Sequence, residues 1–196
     1  MDKGYADTVR LLLTVAPEVF ANDIFAMKGG TAINLFVQDM PRLSVDIDVV
    51  FQPREVPRDE AVAAIDAELA AIGQRVVSLG LRARRLRSAD ASDTKLIVEN
   101  DTSQVKIEVN TVFRGTVLPI ERRPLNARTG DLFGVEFDAP ILARDELYAG
   151  KLVGSTRPAT PTRHLRRVAA LRIRRPDRHH GRVLRGLPRG PQPAAE

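Results

Sequence analysis

The chain has 196 residues, 43% of them apolar, enough for one globular domain with a real core and too few for a second full domain. No run approaches the roughly 20 apolar residues of a membrane span, and Met1–Arg10 is too polar and acidic for a signal peptide, so the expected location is the cytoplasm, away from membranes. The lack of Cys excludes a disulfide scaffold, a zinc finger and thiol chemistry; the lack of Trp, with only 5% aromatic residues, argues against base-stacking platforms. The net charge of +5 divides unevenly, −5 over residues 1–150 and +10 over 151–196, and the second stretch also holds all three His. Two objects are therefore expected: a domain over 1–153 and an Arg/Pro-rich tail over 154–196.

The domain reads as α/β. Val9, Leu12, Leu13, Ala16 and Val19 recur at helical spacing from Tyr5 to Phe20, with Pro17 bending or ending the helix. Ile24–Met27 is a short apolar strand that stops at Lys28-Gly29-Gly30, after which Thr31 can cap a helix to about Gln38. Beyond Pro41, Val45–Phe51 alternates with β-branched residues and reads as a strand. Arg58–Ile72 reads as an amphipathic helix ended by Gly73. Val76–Arg87, Lys95–Glu99, Gln104–Phe113 and Leu132–Phe137 read as strands, and Ile141–Val153 as a helix.

Two of these strands carry candidate chemistry. Side chains alternate across a strand, so Asp46 and Asp48 share one face while Val45, Ile47 and Val49 enter the core. The same alternation puts Lys106, Glu108 and Asn110 on one face of Gln104–Phe113 and makes Glu108 a candidate third carboxylate. Oxygen-only ligands suit Mg²⁺ or Mn²⁺, and a pair of such ions about 4 Å apart stabilises the attacking and leaving oxygens of a phosphoryl displacement. Gly29 and Gly30 lack Cβ, so backbone N–H groups at the following helix start can approach phosphate oxygens. Alone, a Gly-Gly is a turn and an Asp-x-Asp a solvated strand edge; their order, 16 residues apart on strand, turn, helix and strand, points to a triphosphate and metal meeting there. Ser44 either orients Asp46 or caps the loop, and Arg42 either binds phosphate or forms a surface ion pair. Arg82 and Arg84 face opposite to Arg85 and Arg87, which suits either contacts to an RNA backbone or a charged edge strand that blocks aggregation.

Lys28-Gly29-Gly30-Thr31-Ala32, followed by Arg42, Ser44 and Asp46-Ile47-Asp48-Val49-Val50-Phe51, resembles the AbiEii/AbiGii nucleotidyltransferase toxins of the DNA polymerase β-like superfamily. Leu147-Tyr148-Ala149-Gly150-Lys151-Leu152 is similar to that family's lysine-bearing helix, and the resemblance runs from about residue 20 to 153. It implies a polymerase β-like fold, a mixed sheet with flanking helices. It also implies metal-dependent transfer of a nucleotidyl group from an NTP to an acceptor, tRNA 3′ ends in some members, and a separately encoded antitoxin. By position, Lys28, Gly29, Gly30, Thr31 and Ser44 would bind nucleotide, Asp46, Asp48 and Glu108 metal, and Lys151 phosphate.

The tail departs from that family, which continues with Arg-Asp-hydrophobic-Phe-Asp and then Tyr-Leu-Ala-x-His-Asn-Arg-Pro. Reading Thr162–Arg167 one base out of register permits Arg-Asp-Ile-Phe-Asp, and the same shift over Arg182–Pro193 permits the second motif. A frameshift near residues 154–157 is inferred, leaving the C-terminal helical part missing or garbled and the tail without a sustained helical or strand period. Two other readings compete: an inactive nucleotide- or antitoxin-binding remnant, motivated by the missing motif, and a Mn²⁺-dependent glycosyltransferase, which gives no reason for the upstream Gly-Gly.

Overall fold

The computed structural model describes residues 3–38, 44–87, 93–112 and 114–155. The chain opens with helix α1, Lys3–Val19, whose Val9, Leu12, Val15, Ala16 and Val19 are buried. Pro17 sits in its last turn, so the helix ends two residues after it. Strand β1, Phe25–Lys28, leads into the four-residue helix α2, Gly29–Ala32, and a π-helical turn over Ile33–Val37. Because the helix begins at Gly29, Thr31 lies inside it and caps nothing; its hydroxyl pairs with Ser44 instead.

Strand β2, Ile47–Phe51, starts two residues later than the alternation predicts, so Asp46 immediately precedes it while Asp48 lies within it. Helix α3, Arg58–Ser78, runs straight through Gly73. Its core stripe of Ile65, Leu69, Ile72 and Val76 continues past that glycine, and burial of such side chains is worth roughly 1.5–3 kcal/mol each. The helix stops where Gly80 takes a left-handed φ of 80°, which moves Val76–Ser78 from the expected strand into the helix.

Strands β3, Arg82–Arg87, β4, Asp93–Glu99, and β5, Gln104–Asn110, form an antiparallel meander. Strand β6, Glu121–Pro124, is too short and charged to be legible as a strand. The expected strand over Leu132–Phe137 does not form: Leu132 and Phe133 end helix α4, Ala127–Phe133, and a turn and irregular chain follow. Asn126 accepts the Thr129 N–H at 2.8 Å as its N-cap, and Gly134 ends it with φ 65°. Strand β7, Asp138–Ile141, absorbs the residue expected to start the last helix, and α5 spans Arg144–Ser155.

The seven strands form one mixed sheet in the order β3-β4-β5-β2-β1-β7-β6. Pairs β2–β5 and β1–β7 are parallel and the rest antiparallel. Helices α1 and α3 pack together against the β3–β5 half, and α5 packs on α2. The mixed sheet with flanking helices agrees with the expected fold class. Strand β3 is an edge: Arg82 pairs with Glu99 and Asp101, and Arg85 with Asp66 of α3, as suits a charged edge strand. Among the described residues no helix is long and apolar enough to cross a membrane. Arg42 and the tail from residue 156 onward, including the frameshift segments, lie outside the described residues.

Candidate active site

The centre of the sheet puts charge in one row. Lys28 of β1 stands opposite Asp48 of β2, Asp48 opposite Glu108 of β5, and Glu108 opposite Lys95 of β4. Two carboxylates thus occupy adjacent strands with a lysine on either side. Their neighbours Ile47, Val49, Ile107 and Val109 are fully buried, so the pleat must turn the charged residues to the other face.

The glycine turn closes on this row. Gly29 has φ 80°, and a Cβ there would fall 2.4 Å from Asp48 Oδ2. Only a residue without a side chain lets the Asp48 carboxylate lie against the start of α2. At Gly30 a Cβ would come within 3.2 Å of Ser44 Oγ, and that hydroxyl is 3.0 Å from the buried Thr31 Oγ1. Ser44 therefore joins the loop before β2 to α2.

Two lysines engage the carboxylates of Asp46 and Glu108. Lys95 Nζ donates to Glu108 Oε1 at 2.9 Å. Lys106 Nζ lies 3.3 Å from Asp46 Oδ2 and 3.8 Å from Glu108 Oε1. Burial pushes the Asp48 carboxyl up from 3.8 to about 6; Lys28 and Lys106 oppose the rise, while Glu108 and Asp46 reinforce it. An acid whose ionisation is resisted by burial and by two neighbouring carboxylates gains from an added cation, and oxygen donors suit a hard divalent one. The donor chemistry fits Mg²⁺ or Mn²⁺, although among the described residues no three acidic or histidine side chains are gathered into a ready ligand cluster.

The structure thus brings together Lys28, Gly29, Gly30, Thr31, Ser44, Asp46, Asp48 and Glu108. Lys151 is exposed on α5, and among the described residues it is not one of the cations paired with Asp46 or Glu108. Its helix nevertheless packs on α2, anchored by Leu147 at 3% exposure. Tyr148, next in the chain, hydrogen-bonds Gln38 through its hydroxyl at 2.6 Å. Sequence reasoning overlooked Lys95 and Lys106 as partners of the carboxylates. The signal for Lys106 was its parity with Glu108, two residues on.

The AbiEii family, described as nucleotidyl transferase AbiEii toxin of type IV toxin–antitoxin systems, matches residues 10–168, and the chain belongs to it. The match runs past the inferred 154–157 junction. The fold is similar to that of MenT4, a nucleotidyltransferase toxin from Mycobacterium tuberculosis H37Rv, with a TM-score of 0.53 at 20% identity. The similarity covers 78% of this chain and 55% of that one, so the chain spans little more than half the length of MenT4. No curated protein matches the chain.

Proposed function

We propose that the protein is a metal-assisted nucleotidyltransferase toxin of the cytoplasm. It would move a nucleotidyl group from an NTP to an acceptor hydroxyl, a tRNA 3′ end being the favoured acceptor, and a cognate antitoxin would neutralise it. The observation that carries this reading is the contact of the Asp48 carboxylate with Gly29, because it joins an acidic pair to a backbone turn stripped of side chains. Family membership supports the same reading.

Lys28, Gly29, Gly30, Thr31 and Ser44 would receive the triphosphate, with backbone N–H groups and the Lys28 ammonium facing its oxygens. Asp46, Asp48 and Glu108 would hold Mg²⁺ or Mn²⁺, which when bound supplies charge stabilisation to the transferring phosphoryl group. Lys151, on the helix against α2, would reach the phosphates from the other side. The acceptor hydroxyl would give up its proton to solvent as its oxygen attacks the α-phosphorus, the bond to the β-phosphate oxygen would break, and pyrophosphate would leave with that electron pair.

The reading frame belongs to the same proposal. A shifted frame that writes Arg-Asp-Ile-Phe-Asp after α5 would add a carboxylate to the site, and genomic DNA across codons 150–165 decides it. The alternative reading, motivated by the missing segment, is an inactive nucleotide- or antitoxin-binding remnant. Transfer of label from α-labelled NTPs to tRNA separates the readings. Transfer lost in Asp46→Asn supports the enzyme; NTP binding without transfer, in this chain and in a frame-corrected one, supports the remnant. Transfer undiminished in Asp46→Asn removes the site.

A further inference from the structure

Lys106 lies within 4 Å of two carboxylates: Asp46, just before β2, at 3.3 Å and Glu108 on β5 at 3.8 Å. Lys95 reaches Glu108 from the β4 side, and Lys28 faces Asp48 across the β1–β2 ladder. Lys106 and Asp46 are both 39% exposed, so neither is locked in a closed core, and four carbons let the ammonium swing. The ammonium thus bridges the oxygens that a divalent ion would need.

We propose that Lys106 is a positioning residue, a resident counter-cation that a divalent ion must displace, so that nucleotide and metal load together. The inference rests on the metal-assisted reading above. In the metal-free protein Lys106 holds Asp46 and Glu108 together against their mutual repulsion. A dication at the same oxygens repels the ammonium, and metal alone therefore binds weakly. An incoming triphosphate offers the displaced ammonium new anionic oxygens and so favours the loaded arrangement. The coupling is reciprocal: nucleotide tightens metal by the factor by which metal tightens nucleotide.

The test measures Mn²⁺ binding by calorimetry on the full chain, alone and with the non-hydrolysable α,β-methylene analogues of the four NTPs. Lys106→Met is expected to bind Mn²⁺ alone at least fivefold more tightly than the native chain and to lose at least two-thirds of the nucleotide-induced tightening. Lys106→Arg, which keeps the charge, should behave as the native chain does. If Lys106→Met melts too low to assay, Lys106→Gln carries the same expectation. Unchanged or weaker Mn²⁺ binding in the neutral variants would overturn the inference, the second result making Lys106 an organiser of the ligands. Absence of Mn²⁺ binding in the native chain, in the neutral variants and in the presence of each nucleotide would overturn the metal-assisted reading itself.

Discussion

Gly29 and Asp48 are fitted to each other so closely that a methyl group on the first would overlap a carboxylate oxygen of the second. Gly29→Ala should therefore fail twice: alanine at φ 80° costs about 1–2 kcal/mol in backbone strain, and Asp48 must leave the row to make room. A lowering of stability by about 1–3 kcal/mol is expected, with transferase activity down at least about a hundredfold. Thermal melts and label transfer check the pair of effects, and full activity in a folded Gly29→Ala protein would contradict the fit.

Asp48 should make the metal-free protein pH-sensitive. Its folded carboxyl ionises at about 6 against an ordinary 3.8, so the ionised form opposes folding. The penalty is absent below about pH 4, grows as pH rises through 6, and reaches about 3 kcal/mol above it. In chelator, Asp48→Asn is expected to melt higher than the native chain at pH 7.5, with the gap closing toward pH 4. A gap that stays constant across this range would show that Asp48 is not the titrating group. Activity at limiting metal should fall as pH drops below about 6, and added metal should move that limb to lower pH, because proton and cation compete for the same oxygens.

On α5, neighbouring turns should separate stability from chemistry. Leu147 is buried at 3% exposure, and Leu147→Ala is expected to cost about 2–4 kcal/mol. Lys151, one turn on and exposed, should give a Met variant within about 0.5 kcal/mol of the native stability. If the lysine reaches phosphate, that variant loses at least about tenfold in kcat/KM for the NTP. Equal kcat/KM in the two proteins would confine Lys151 to the solvated surface.

Glu68 offers a control remote from the carboxylate row. At 5% exposure it accepts from Arg75 Nη2 at 2.7 Å and from Asn22 Nδ2 at 2.9 Å, while Arg75 also donates to the Glu18 carbonyl at 2.7 Å. The network ties α3 to the end of α1. Glu68→Ala leaves these donors partly unpaired and should cost about 2–4 kcal/mol, with the metal affinity of the folded fraction unchanged.

The legible parts of the sequence were those where one period or one residue type decides. The alternation in Val45–Phe51 put Asp48 on the face away from the core, and that in Gln104–Phe113 did the same for Glu108; their pairing across β2 and β5 came only with the register. Gly29 announced a turn but not its reason, since the contact with Asp48 depends on the β1–β2 register. Gly73 misled because a helix tolerates one glycine when Ile72 and Val76 stay buried around it. Glu121–Pro124 carries no apolar alternation and becomes a strand only by pairing with β7. The partnership of Lys95 with Glu108 needed the β4–β5 register, which local patterning does not encode.

The central position of β1 has a consequence for the order in which the protein is made. Both aspartates, Glu108 and the two glycines are synthesised long before Ile141, the residue whose strand pairs with Met27. Until β7 arrives, the strand that delivers Lys28 and Gly29 is an unfinished edge, and α5 is not yet there to brace α2. Contacts this distant in sequence form late. A nascent chain therefore carries Asp46, Asp48 and Glu108 before the strand and helix that brace the glycine turn beside them exist, so the carboxylate row is framed only when the last strand has paired.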